Sequence, residues 1–185
     1  MSAPPRRLRL VPPPPRARQW LFALLPCLPL AFLAAGAVAQ APEGQAARLQ
    51  LALAALLLVS LWWLLDRVMQ RQQLRITAGE LDVRSSFYRC RVELQALDLA
   101  RARLVDLDEH TTLRPLLKVN GFSLPGLRSG WYRLRNGRRG FVATAGGRRV
   151  LWLPGIGRHD LLLEVEDPGA LLSQLRELAA ATPRH

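Results

Sequence analysis

Lysine is all but missing from this chain: of its 26 basic residues, only Lys118 is a lysine. A guanidinium forks onto phosphate oxygens, so an arginine excess is one way to build a phosphate-binding surface. A compositional drift towards arginine gives the same imbalance. Cysteine is scarce too. Cys27 lies in an apolar run and Cys90 in a strand-like segment, with no second cysteine or histidine at ligand spacing. That excludes a disulfide framework and a zinc site of the usual pattern, and it is compatible with a reducing compartment. Aromatics make up 6%, and none is clearly interleaved with the arginines on an exposed face. A stacking platform is therefore lacking, and nucleic acid is not an expected partner despite the net charge of +12.

The familiar marks of catalysis are missing as well. There is no G-x-S-x-G elbow, no glycine loop cradling phosphate ahead of a helix, and no H-E-x-x-H. The densest carboxylate–histidine stretch is "DLDEH", Asp106 to His110. A strand sends Asp106 and Asp108 to one side and Glu109 to the other, which reads as a solvated acidic corner rather than convergent ligands. His159 and His185 have no companions. The chain is expected to be no enzyme, with no catalytic residue, metal ligand or cofactor.

Charge is missing from two stretches, and here the positive argument begins. Trp20 to Val38 is 19 residues without a charge, and Leu49 to Leu65 is 17 with only Gln50 and Ser60 polar. As helices they reach roughly 25–29 Å, close to the ~30 Å hydrocarbon core. Trp20, Trp62 and Trp63 stand at run ends, where amphipathic rings favour the interface, and Pro26 and Pro29 should kink the first helix. The expectation is a transmembrane hairpin over residues 20–65, with helices at about 20–38 and 46–65, and Asp66 marking its interface. A second reading stays open, in which residues 1–39 are a cleaved signal peptide ending at Ala37-Val38-Ala39. Both place the remainder in the cytoplasm, because Arg16 and Arg18 precede the first run and Arg67, Arg71 and Arg75 follow the second. The protein is thus expected in the inner membrane, multi-pass, with its C-terminal domain cytoplasmic. Residues 1–19, with "PPPP" at 12–15 and five arginines, read as a disordered Pro/Arg-rich tail.

After a linker at 66–73, the period becomes strand-like. Leu74–Thr77, Leu81–Arg84, Phe87–Leu94 and Ala102–Leu107 alternate. In "KVNGFSLPGLRSGWYRL" (118–134), Asn120-Gly121 and Pro125-Gly126 read as turns, and Gly121, Gly126 and Gly130 can take positive φ. The stretch reads as a wide, shape-determining loop that delivers Trp131 to the edge of a barrel. Three hairpin-linked strands should follow, turning at Asn136-Gly137 and Gly146-Gly147, then a last strand from Asp160 to Glu166. Asp167 is a good N-cap and Pro168 suits the first helical position, with Leu171, Leu172, Leu175 and Leu178 on one face.

Residues 70 to 180, through "GFSLPGLRSGWYRL", the Asn-Gly turn and "DLLLEVEDPGALLSQLREL", resemble bacterial pleckstrin homology domain proteins of the membrane-tethered type. The most specific matches are Gly121…Pro125-Gly126…Gly130 and the Asp167-Pro168 helix start. The resemblance implies a half-open barrel of about seven strands capped by a C-terminal helix, over residues 74–180. Phosphoinositide binding is not carried over, since "LRITAGELDVR" offers only Arg75 and Arg84 in the first hairpin.

Arg133, Arg135, Arg138, Arg139, Arg148 and Arg149 cluster at strand ends and turns. If the two hairpin tips share one end of the barrel, they form a cationic rim for anionic headgroups; otherwise they are solvated faces. The expectation is a membrane-anchored interaction or assembly module. Its partners would be the membrane, a protein or further copies of the chain, and anionic phospholipid headgroups. The alternative is a lipid- or small-ligand-binding sensor.

Overall fold

The computed structural model describes residues 9–40, 45–77, 79–157 and 159–181. It is an α+β chain with two long apolar helical stretches, sheets of three and six strands, and a C-terminal helix.

The first stretch runs through α1 (Pro15–Phe22), a π-helical turn (Ala23–Cys27) and α2 (Leu28–Gln40). Pro26 sits inside the π turn; a widened turn accommodates a ring that has no N–H to donate. The second stretch is α3 (Gln45–Met69). Pro15–Gly36 and Arg48–Met69 are each 22 residues, long and apolar enough to cross a bilayer. Both helices exceed the expected bounds at the end facing the β domain. The first starts at Pro15 and the second continues to Met69, so little remains of a linker before β1 begins at Gln72.

The tail also departs from expectation. Residues 1–8 lie outside the described residues, but residues 9–14 are not a disordered leader. Leu10 forms an antiparallel bridge with Val165, and Val11 N–H donates to the Glu164 carbonyl at 3.0 Å. Leu10 is buried in the main core. An extended, proline-rich segment cannot become helical, yet it can still lay one apolar side chain and its remaining backbone groups on a strand end.

Strands β1 (Gln72–Thr77), β2 (Glu80–Ser85) and β3 (Tyr88–Glu93) form an antiparallel meander. The larger sheet comprises β4 (Arg103–Asp106), β5 (Pro115–Leu124), β6 (Leu127–Leu134), β7 (Arg139–Thr144), β8 (Arg149–Leu153) and β9 (His159–Leu163), in the order β4-β8-β9-β7-β6-β5. The expected β7–β8 hairpin does not form: β9 lies between those strands, parallel to β7 and antiparallel to β8. The reason is readable in "DLLL", whose four residues are all buried. A strand apolar on both faces gains most at the centre of a sheet covered on both sides.

Leu161 and Leu163 face a core shared by the smaller sheet and α4 (Pro168–Ala181), where Leu81, Val83, Phe141, Leu171 and Leu175 are fully enclosed. Leu162 faces a second core with Val105, Tyr132, Leu134, Val142, Val150 and Trp152. Leu113, from the segment that crosses back over this face, packs into the second core. The α4 start is as expected: Ala170 N–H donates to Asp167 Oδ1 at 2.9 Å.

The glycine-rich stretch is a hairpin rather than a wide loop. Leu124 pairs with Leu127 around Pro125-Gly126, and Gly126 has φ +81°, the proline–glycine pairing of a type II turn. Asn120-Gly121 is no turn; it lies within β5 beside a register irregularity between Lys118 and Asn120.

Candidate functional site

The helix hairpin and the β domain meet in a built junction. Ala17 and Leu21 of α1, Met69 at the end of α3 and Leu127 at the start of β6 form a buried cluster, flanked by Phe122, Leu124, Trp62 and Leu65. The helices run antiparallel, with Phe22 edge-on to Trp62 at 5.0 Å and Arg18 opposite Asp66. Arg18 donates through Nε and Nη2 to the two Asp66 oxygens at 2.6 and 2.9 Å, and Gln70 Nε2 donates to Oδ2 at 2.6 Å. Asp66 is thus not merely a marker at the end of a span. It is a buried carboxylate whose lone pairs are taken by three donors.

Two turns of the β domain lie against this junction. The β5–β6 tip touches the N-terminal strap, since a Cβ on Gly126 would meet the Pro14 ring at 3.0 Å. The β2–β3 tip, Ser86-Phe87, is tied to the α3 exit: Ser86 N–H donates to the Arg71 carbonyl at 2.9 Å, and its hydroxyl reaches the Met69 carbonyl at 3.5 Å. Ser86 holds φ +52°, the sole non-glycine residue at positive φ among those described. Phe87 is 49% exposed there and packs edge-on to Phe122 at 5.8 Å.

Beside Phe87 opens a cleft of about 430 Å³, lined by Arg71, Gln73, Arg84, Ser86, Tyr88 and Arg89. The register explains the convergence. Gln73 lies opposite Arg84, and Arg84 opposite Arg89, on the outer face of the small sheet. Asp82 is the counter-charge. Arg89 donates to it from Nε at 2.8 Å and Nη2 at 2.5 Å, and Arg84 Nε lies 3.7 Å away. The Arg89 hydrogen bonds, reinforced by the charges of Arg89, Arg84 and Arg91, hold the Asp82 carboxyl below its usual range. Among the described residues the Arg71 side chain has no ion pair or hydrogen bond.

A second cleft, about 650 Å³, opens near the β5–β6 tip between Arg114, Ser123, Arg128, Thr144, Gly147 and Arg148. It also contains Asp108, which already pairs with Arg114 and Arg148. The "DLDEH" segment is therefore a salt-bridged turn in which Asp106 Oδ1 accepts from Asp108 N–H at 2.8 Å. No group of three His, Cys, Asp or Glu among the described residues is placed to hold a metal ion.

The six arginines expected to form a rim are divided between two ends of the sheet. Arg133 and Arg139 pair near the Asn136-Gly137 turn, whereas Arg148 and Arg149 follow Gly146-Gly147, at the end where Arg128 meets Thr144. β6 alone separates these ends by roughly 20 Å at ~3.3 Å per residue. Arg135 lies with the first group, its N–H bonded to the Arg114 carbonyl. Arg138 is committed within the fold: it binds buried Asp160 and the carbonyls of Gly155 and Gly157, while Asp160 also takes the Trp152 Nε1–H. Trp131 is half-buried against the main core, edge-on to Phe141 and His159.

Sequence reasoning missed Arg71, Arg89, Phe87 and Arg128. The available signal was cross-strand arithmetic: with a two-residue turn at Ser86-Phe87, Arg84 must face Arg89. Cys90 is inert by placement, since burial pushes its thiol up to about 12. Comparison with protein-family models, with curated proteins and with solved structures finds no match to this chain.

Proposed function

We propose that this chain is a membrane-anchored, non-enzymatic interaction or assembly module. Its two apolar helices span the inner membrane and its β domain lies on the cytoplasmic side. The observation that carries the reading is the junction: Arg18 from the first helix satisfies Asp66 of the second, and Leu127 closes the same cluster. An anchor joined this way presents the domain in a fixed attitude, which suits recognition. The junction also favours a retained first helix, because removing residues 1–39 would strip Arg18 from Asp66 and Leu10 from the main core. Arg18, Arg67 and Arg71 all lie at the end of the hairpin that carries the domain, as the positive-inside rule asks of cytoplasmic ends.

A pleckstrin-homology-like domain remains part of the proposal. Two sheets over a common core, closed by a helix that starts at Asp167-Pro168, favour it; nine strands and a parallel β7–β9 pair go beyond the implied seven. The β5 edge offers a surface for a protein partner or another copy, since Leu116, Leu117 and Val119 are exposed on the last strand of the larger sheet.

Alkaline carbonate extraction of cell membranes, combined with a cytoplasm-active reporter fused behind the last residue, tests the reading. Full retention in the pellet with an active reporter is expected. Recovery in the supernatant, or an inactive fusion, would refute it. Crosslinking in mild detergent should then yield a co-purifying partner or a discrete oligomer.

A further inference from the structure

Arg84 and Arg89 stand directly opposite each other on neighbouring strands. Like charges in that position destabilise a sheet unless something negative lies between them. Asp82 supplies one negative charge to both, and Arg71 adds a third guanidinium with no partner among the described residues. Three guanidiniums against Asp82 leave two positive charges in excess, with Glu80 a further counter-charge towards Arg89. Arg84 and Arg89 stand on strands, and Arg71 in the short connection between α3 and β1.

Its position points to an occupant. Arg71 follows the last residue of α3 by two positions, and the Ser86 bonds hold the β2–β3 tip to that helix exit. Phe87, half-exposed, is among the residues that line the cleft. An aromatic ring beside three arginines at the end of an apolar helix matches the layered chemistry of a bilayer surface: acyl boundary for the ring, phosphate for the guanidinium forks.

We propose that the Arg71–Arg84–Arg89 cleft is a binding site for the phosphate of an anionic phospholipid headgroup, with Phe87 inserted at the acyl boundary beside it. The inference rests on the membrane-anchored reading and adds to it a lipid ligand and a site. The ligand seats the small sheet against the leaflet. It relieves the Arg84–Arg89 repulsion, so binding also stabilises the domain by linkage.

The test uses the full chain purified in a neutral detergent. Native mass spectrometry follows binding of added phosphatidylglycerol, phosphatidylcholine and inorganic phosphate, and membrane retention is measured in parallel by carbonate extraction. Phosphatidylglycerol should bind in preference to phosphatidylcholine. The double substitution Arg71→Gln/Arg84→Gln should weaken that binding roughly 30-fold, at about fivefold for each cation near an anionic headgroup. Arg71→Lys/Arg84→Lys, which keeps the charge, should recover most of it. Arg133→Gln/Arg135→Gln, at the distal end of the sheet, should leave binding unchanged. Phosphatidylglycerol binding undiminished in the first variant, or equally weakened in the distal one, would overturn the site. Equal binding of phosphatidylcholine, or free phosphate that binds as tightly as the lipid, would overturn the ligand. If the protein stays in carbonate-washed membranes while either result occurs, only this inference fails. If it leaves the membrane, the anchoring reading fails with it.

Discussion

At the scale of single residues, backbone geometry decides more here than side-chain chemistry. Gly130 holds φ +117° opposite Gly121, and a Cβ there would lie 2.6 Å from both the Asn120 carbonyl oxygen and the Gly121 Cα. Backbone cannot step aside as a flexible side chain can. Gly130→Ala should therefore cost about 3 kcal/mol or more in chemical unfolding, from steric conflict added to left-handed strain. Gly137, at φ +82° with open space around it, should lose only about 1 kcal/mol on the same change. Equal losses at the two sites would show that close approach is not what Gly130 provides. Asp82 makes a prediction in pH. Its folded carboxyl sits below the ordinary value because Arg89 hydrogen-bonds it and neighbouring arginines attract it. The stabilisation is thus fully present above the unfolded-state value of ~3.9 and is lost as pH falls through the lower folded-state value. Asp82→Asn should be less stable than the parent at pH 6, with the gap closing below about pH 4 in thermal melts.

Elements behave as their local sequence asks, until a neighbour in space outweighs the neighbour in sequence. The C-terminal helix is the clear local case. Asp167 caps it, Pro168 begins it, and Leu171 and Leu175 enter the core at the expected spacing. Asp167→Ala should cost about 1 kcal/mol in unfolding experiments, and Asp167→Asn far less, since asparagine also accepts from the N3 amide. β5 is the contrary case. Asn120-Gly121 carries the strongest kind of short-range turn signal, yet it lies within a strand because β6 provides a continuous partner and the irregularity is absorbed as a register shift. The β7–β8 connection fails for a related reason. Its turn residues suit a hairpin, but burying "DLLL" on both faces is worth more than pairing two adjacent strands.

Across the whole molecule, the decisive feature is how the helix hairpin is fastened to the β domain. Arg18→Ala would leave the buried Asp66 carboxylate with Gln70 as its one side-chain donor. A loss of about 1–3 kcal/mol is expected in detergent-solubilised protein. The double change Arg18→Ala/Asp66→Asn should recover much of it, because a neutral amide tolerates the vacancy better. If the double variant melts no higher than the single, the loss does not come from an unpaired buried carboxylate; if Arg18→Ala itself melts like the parent, the pair is dispensable to the junction.

What the sequence determined by itself is the set of features fixed by near neighbours. Two uncharged runs dictate two long apolar helices, alternation dictates most strands, and Asp167-Pro168 dictates where the last helix begins. The tertiary structure alone decided which ends meet. It split the six distal and proximal arginines, committed Arg138 to Asp160, drew Leu10 into the core, and gathered Arg71, Arg84 and Arg89 beside Phe87. Periodicity is a property of a few consecutive residues, whereas strand order is set by the burial that distant segments achieve together. The Arg84–Arg89 pair follows from a local hairpin, but Arg71 joins it only because the β2–β3 tip is tied to the α3 exit, a contact that no local pattern carries.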